Sequence, residues 1–467
     1  MRICTLVKCL VSSDICQGGI RKTNLNRVGV ITFKSIMETH TIIERHKAVV
    51  GQLKSILDGN PEMEKTLEKS LKRAVDLSKN GNPSKNIPPL NQDLYKAIDR
   101  EFNGKGWPET VEGYYDYLDL YVRMIPNESR DSEYPNAWTS DGTKNGYNQK
   151  VYDLLCQSYW LIDQEDAKGR TMQSYPEFAN WLVSFANAWG TFLDTEASLT
   201  KETLLSFKND KNEQGQSVYN FPLYADSEKS WTTFNQFFYR EFNNADSKTG
   251  ISPLRPIADP ESNTTIVSPA DCTFKAYYPI DKDGSVNEVT LKGTHTIGSV
   301  DELLEFSKYG ESFYGGTFIH YFLSPFDYHR FHTPVSGKIL EILPVQGNVY
   351  LNVETDATGQ FDAPDGGGNG YEFSQARGLV IMDAGPEVGK VAILPIGMCQ
   401  VSGVDMYTEL QGKEVVKGQE FGKFRFGGSD IIMLFEKPPQ ELYMFQNDPS
   451  LKPIHFQYGQ TSVYWNK

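Results

Sequence analysis

The sequence predicts an α+β fold, a helical N-terminal domain followed by a mostly β domain, because its hydrophobic period changes near residue 228. Upstream, apolar residues recur three and four positions apart; downstream, they gather in short runs punctuated by glycine and proline. Three segments with chemically reactive side chains all fall in the second half.

In chain order, Val49, Val50, Leu53, Ile56 and Leu57 share one helical face until Asp58-Gly59-Asn60-Pro61 stops the run. Met63, Leu67, Leu71 and Val75 continue at four-residue spacing. A polar linker from Lys79 to Pro89 follows, with Gly81, Pro83, Pro88 and Pro89. The strongest helical signal opens with Ser174 and Glu177 as a capping box and Pro176 in the first turn. Its face of Phe178, Trp181, Leu182, Phe185, Trp189 and Phe192 reads as core rather than as a cofactor site. Beyond 228, Lys338 to Leu343, Leu379 to Met382 and Val391 to Leu394 read as strands. The stretch Phe361 to Gly370, with Gly366-Gly367-Gly368, lacks the strand-before and helix-after setting of a nucleotide-binding turn and reads as a loop. The expected organisation is a dispensable leader over 1–36, a helical domain over 37–227 and a β domain over 228–467.

The leader expectation rests on composition: residues 1–36 hold six basic residues, one acid and three of the six cysteines. A native start at Met37 is the preferred reading and a targeting peptide the other. The whole chain carries 60 acidic and 46 basic residues, a formal charge of −14, and without 1–36 the balance is −19. Such a field repels nucleic acid and anionic membrane surfaces. The cysteines form no C-x-x-C pair and no zinc-type spacing with histidine, so neither a structural disulfide nor a structural zinc is expected. No apolar run approaches the length of a spanning helix. A cytoplasmic location follows as the expectation, with peripheral membrane contact through apolar surface if the substrate is a lipid.

The first reactive segment is Gly427-Gly428-Ser429, a turn between the apolar runs Phe424-Arg425-Phe426 and Ile431 to Phe435. Two glycines permit positive φ and close backbone approach, which lets the Ser429 hydroxyl reach the carbonyl behind it. Alone, the tripeptide also fits an ordinary hairpin. The second segment runs from Ser324 to Gly337 and places His329 and His332 three residues apart beside Asp327 and two aromatics, in a chain with only seven histidines. A metal site would require a third ligand, for which His320 is the candidate, and acid/base use is the preferred reading. The third segment, Val267-Ser268-Pro269-Ala270-Asp271, is a strand ending in a proline turn that presents a carboxylate. Together the three supply a nucleophile, a base and an orienting carboxylate.

These segments resemble the phosphatidylserine decarboxylase family, including its soluble branch acting on tryptophan and other aromatic amino acids. The resemblance is carried by Phe234 to Arg240, Arg255-Pro256-Ile257, Val267 to Asp271, Lys292-Gly293, Tyr328 to Val335, Gly389-Lys390-Val391 through Pro395-Ile396-Gly397, and Phe426 to Ser429, in the family's order. The helical region resembles the extra domain of some members. The resemblance implies a zymogen that cuts itself between Gly428 and Ser429, Ser429 becoming a pyruvoyl cofactor, with neither pyridoxal phosphate nor a metal. His332 and Asp271 would drive the cut with Ser429, Asp327 would support the histidines, and His329 would return a proton to the substrate carbon. The pieces, of 428 and 39 residues, would remain associated. The chain departs from the family at Asp430, where a small hydroxyl residue is usual, and at Cys272, where glycine is usual. Asp430 beside the scissile bond is expected to disfavour the oxyanion of the acyl shift.

Phosphatidylserine is the preferred substrate, with conversion to phosphatidylethanolamine and carbon dioxide. A free aromatic amino acid is the alternative. The strands around Pro334 to Ile339 and Val416 to Lys423 also resemble the barrel-sandwich hybrid of biotinyl and lipoyl carriers, but the lysine of a carrier hairpin tip is missing. A serine hydrolase is disfavoured because G-x-S-x-G is absent. The sequence fixes no oligomeric state, a homo-oligomer included.

Overall fold

The computed structural model describes residues 44–138, 149–211, 215–224, 231–286, 299–363, 375–398, 403–438 and 454–464. The proposed leader, Lys292-Gly293 and Gly366-Gly367-Gly368 lie outside them.

The helical half is built on buried aromatic and aliphatic faces. Helix α1 (44–58) buries Val49, Leu53 and Leu57, and stops at Gly59. Asn60 caps α2 (Pro61–Asn80) by accepting from the Met63 N–H at 3.1 Å, and the predicted Met63, Leu67, Leu71 and Val75 are all buried. Gly81 at φ +69 ends α2 where the linker was expected. Helices α3 (Gln92–Glu101), α4 (Val111–Tyr121) and α5 (Gln149–Trp160) follow, then α6 (Pro176–Leu193), which buries the predicted row from Phe178 to Phe192. Its start differs from the expectation. Ser174 ends a short 3-10 turn and takes the Thr171 N–H, while Tyr175 occupies the N-cap position without a side-chain cap. Pro176 at the first helical position removes one of the N–H groups left without an intrahelical partner there. Helices α7 (Lys201–Lys208), α8 (Phe234–Phe238) and α9 (Val300–Leu303) complete the described set.

The β half contains β1 (Thr265–Val267), β2 (Cys272–Pro279), β3 (Thr317–Leu323), β4 (Arg330–His332), β5 (Gly337–Val345), β6 (Glu354–Thr355), β7 (Phe361–Asp362) and β8 (Arg377–Asp383). It continues through β9 (Lys390–Gly397), β10 (Val404–Met406), β11 (Glu414–Val415), β12 (Glu420–Phe424), β13 (Ser429–Phe435), β14 (His455–Phe456) and β15 (Thr461–Tyr464). The main sheet has the order β11-β5-β8-β9-β13-β3-β2-β14, and a second sheet the order β10-β12-β4. The described strands form open antiparallel sheets without a closed barrel. Strand β13 lies inside the main sheet and every residue from Ser429 to Phe435 pairs with both β3 and β9. One face of this sheet buries Phe318, Leu379, Ile381, Leu394, Ile396, Ile432 and Leu434 in a single core.

Residues 46–467 make one compact unit, so the helical and β halves share contacts. The Asn91 N–H donates to the Gly359 carbonyl at 2.7 Å, and the Ala363 N–H to the Tyr152 hydroxyl at 2.8 Å. Asp163 accepts from the Val353 N–H at 3.0 Å; burial pushes its carboxyl up to about 7. No helix among the described residues is long and apolar enough to cross a membrane.

Candidate active site

Ser429 opens β13, a strand paired along its whole length on both sides, and its hydroxyl is fully buried with no hydrogen-bond partner. A buried hydroxyl left unpaired forgoes a bond it would otherwise make, and such groups gather at sites of chemistry. The preceding Gly427 adopts φ +150, a conformation that favours glycine, whereas Gly428 does not take positive φ. The Gly428 carbonyl accepts the Met398 N–H at 2.8 Å, at the end of the neighbouring β9. The bond behind Ser429 is therefore held by its carbonyl while the hydroxyl beside it stays uncommitted.

Phe426, just before the two glycines, is clamped. Its N–H donates to the Asn235 side chain at 3.1 Å, and Asn235 in turn donates to Asp194 at the end of α6 at 2.9 Å. Its ring meets Trp189, Phe234 and Phe238 edge-on, with centroids 5.1 to 5.4 Å away. The helical half thus braces the chain entering the cleavage turn.

His332, in β4, is fully buried, and both ring nitrogens are engaged: Nδ1 lies 2.8 Å from the Gly418 carbonyl and Nε2 3.1 Å from the Tyr328 hydroxyl. A carbonyl only accepts, so Nδ1 carries the proton, and Nε2 offers its lone pair to the Tyr328 O–H. Burial lowers the imidazole to about 4, which keeps this tautomer neutral. Tyr458 stacks on the ring at 3.8 Å. The Asp271 turn adjoins this histidine: the His332 N–H donates to the Pro269 carbonyl at 2.8 Å. Asp271 itself binds Arg255 through both oxygens, at 2.9 and 3.0 Å, and accepts the Tyr458 N–H at 2.8 Å. The His332 backbone thus meets the Asp271 turn, and no hydrogen bond joins the Ser429, His332 and Asp271 side chains to one another. The carboxylate is committed to a guanidinium, which holds the charge in place without an imidazole.

His329 stacks on Phe238 with centroids 3.8 Å apart, and neither ring nitrogen has a hydrogen-bond partner. Burial, reinforced by the charge of Arg240, pushes this imidazole well below its usual range. Arg240 is itself buried among Tyr219, Tyr224 and Phe237 and donates to the Phe326 and Asp327 carbonyls, fixing the loop before His329. Asp327 faces elsewhere than expected: its carboxylate accepts from His455 Nε2 and the Ser324 N–H, each at 2.8 Å, and not from either predicted histidine. Burial alone would lower His455, but the bond to Asp327 outweighs it and raises the imidazole.

Asp430 lies off the Ser429 face of its strand. Successive residues of a strand point to opposite faces, so its side chain leaves the Ser429 face and enters the side of the sheet where Ile432 is buried. There it lies 3.2 Å from His320, the histidine considered as a third metal ligand. Cys272 begins β2 fully buried, 3.2 Å from the Ser268 hydroxyl, and burial raises its thiol. Cys156 is likewise buried.

A family profile described as phosphatidylserine decarboxylase matches residues 234–463. A phosphatidylserine decarboxylase proenzyme of Fusobacterium nucleatum is 31% identical over 51% of this chain and 69% of its own length, and one of Clostridium novyi is 31% identical over 54% and 75%. The chain belongs to the phosphatidylserine decarboxylase family. Phosphatidylserine decarboxylase proenzyme 3 of Schizosaccharomyces pombe is 36% identical, but the match spans 44% of this chain and only 19% of that longer protein. A decarboxylase of Amanita muscaria, iboD, is 27% identical over 58% of this chain and 80% of its own length. The family explains the shared β half, and the clamp from Asp194 through Asn235 to Phe426 shows how the helical half engages it.

His455 and Tyr458 escaped the sequence reading. They have no motif of their own, and their importance comes from β14 pairing with β2 and β15 with β1. The depressed imidazole of His332 gives a testable sign. Between about pH 6.5 and about pH 4 the unfolded chain takes up a proton that the folded ring refuses, so stability falls with pH, by on the order of 3 kcal/mol from this group. Denaturant unfolding of the uncut Ser429→Ala chain at both ends of that window should show the loss, and His332→Asn should shrink it. An equal acid loss in both chains would refute the assignment.

Proposed function

We propose that this chain is a self-cutting, pyruvoyl-dependent decarboxylase that converts phosphatidylserine to phosphatidylethanolamine and carbon dioxide. The observation that carries it is the scissile bond, with the Met398 N–H 2.8 Å from the Gly428 carbonyl oxygen and the buried Ser429 hydroxyl unpaired. Ser429 Oγ attacks the Gly428 carbonyl carbon, and its proton goes to Nε2 of His332 once Tyr328 yields that lone pair. Negative charge develops on the Gly428 oxygen, where the Met398 N–H donates. Collapse, with His332 passing its proton to the departing nitrogen, moves the acyl group from nitrogen to oxygen; loss of the residue 429 α-proton to the freed imidazole then expels the Gly428 carboxylate by β-elimination. Hydrolysis at residue 429 releases ammonia and completes the pyruvoyl group. That group supplies the electron sink for loss of carbon dioxide.

His329, held neutral, has no spare proton of its own. In this mechanism it takes one from the substrate amine and returns it to the substrate carbon. Asp271, anchored by Arg255, adds negative charge beside His332 and favours its protonated form during the cut. The ladders of β13 with β3 and β9, with those of β14 and β15, support continued association of the two pieces.

A free aromatic amino acid is the second reading for the substrate. It is favoured by the charge of −14, which opposes approach to an anionic membrane surface. Offered phosphatidylserine vesicles and free aromatic amino acids separately, the purified protein is expected to release carbon dioxide from the vesicles. Release from the amino acids alone would reverse the choice of substrate.

A further inference from the structure

Lys417 is almost wholly buried, at 1% exposure, and none of its hydrogen bonds goes to a carboxylate. Its ammonium sits in a cage of backbone carbonyls: Asp259 at 2.6 Å, Ser262 at 2.5 Å and Thr265 at 2.7 Å, with Ala258 farther at 3.4 Å. Burying a cation is costly, and this one is tolerated because three or four oriented dipoles replace its water. The cage also satisfies a loop in which Asp259 takes the left-handed φ of +41. Such a lysine is unsuited to carry a modification.

The next residue is Gly418, whose carbonyl receives the Nδ1 proton of His332. Gly418 sits at φ +83, and a Cβ there would lie 2.5 Å from the Ile257 side chain, so the caged loop also encloses this turn. On the other side, Thr333 fixes the turn to β4: its carbonyl takes the Gly418 N–H at 2.8 Å and its hydroxyl donates to the Val416 carbonyl at 2.7 Å. Thr333 belongs to the chain that bears His332 and moves with it. Lys417 ties the turn to an independent segment, the one that leads through β1 to the Asp271 turn; two residues beyond Gly418, the Glu420 N–H reaches the start of that segment at the Thr249 carbonyl, 2.7 Å away, but leaves the Gly418 peptide itself to Lys417.

We infer that Lys417 is a positioning residue for self-cleavage, its caged ammonium holding the Gly418 carbonyl on His332 Nδ1 so that the Nε2 lone pair is the one available as base. The inference rests on the proposed role of His332 as that base. Without the tie the carbonyl can swing away, the two tautomers mix, and the fraction of productive base falls.

The test uses the full chain. Lys417→Met is expected to slow appearance of the 39-residue fragment on denaturing gels by about ten- to a hundredfold. In the uncut Ser429→Ala chain, histidine-labelled nitrogen-15 spectra should show His332 protonated at Nδ1, and adding Lys417→Met should mix the two tautomers. Should Lys417→Met not fold, Lys417→Gln, shorter but still a donor, carries the same two measurements with a smaller effect. Cutting at the parent rate, or slow cutting with the His332 spectrum unchanged, would overturn the inference. Parent-rate cutting by His332→Ala would instead overturn the base reading, and with it any route from Lys417 to cleavage.

Discussion

Ser429→Ala is expected to leave one intact chain of 467 residues with no measurable decarboxylation. The substitution removes the nucleophile and the precursor of the pyruvoyl group in one step, so no partial activity survives through a slower version of the same route. The effect is separable from misfolding because of where the residue lies. The pairing of β13 with β3 and β9 is made by backbone, and alanine keeps all of it. The hydroxyl makes no hydrogen bond in the folded chain, so its loss orphans no partner. Unfolding of Ser429→Ala should therefore lie within about 1 kcal/mol of the parent proenzyme, while denaturing gels show one band in place of two. A 39-residue fragment from this variant would mean that the cut lies elsewhere and would remove the proposed mechanism.

Much of this arrangement was legible from local pattern. The change of hydrophobic period marked the passage from helices to sheets, and Met63, Leu67, Leu71 and Val75 were recognisable as one buried face because helical spacing leaves them no other. The Gly-Gly-Ser turn and the histidine segment declared themselves by composition. The partners of those residues did not. Asp327 is 128 residues from His455, and nothing near either one announces the pair. Their meeting depends on β14 joining the edge of the main sheet, a long-range pairing that local sequence does not encode. Asp430 is a different case. Strand alternation sends its carboxylate to the face opposite Ser429, towards His320, a placement that adjacency in sequence does not convey. Lys417 shows the same limit from the other side, since a lysine beside a glycine reads as an exposed turn until the carbonyls of 258–265 are seen around it.

The two histidines should separate cutting from decarboxylation. His332 is neutral, protonated at Nδ1 and held by Gly418 and Tyr328, the state required of a base that receives the Ser429 proton. His332→Ala should slow cutting by about a hundred- to ten-thousandfold, the usual contribution of a positioned general base. It should also cost stability, because the Tyr328 hydroxyl and Gly418 carbonyl lose their partner inside the protein. His329 has no such partners. Its nitrogens are unpaired and its ring rests on Phe238, so His329→Ala forfeits packing but leaves no polar group stranded. That variant should cut at close to the parent rate, show both bands, and decarboxylate about a hundred- to ten-thousandfold more slowly. Gels and carbon dioxide release on the same preparations distinguish the roles. If His329→Ala blocks the cut while His332→Ala permits it, the unpaired imidazole is the base, and the one locked between Gly418 and Tyr328 serves the substrate.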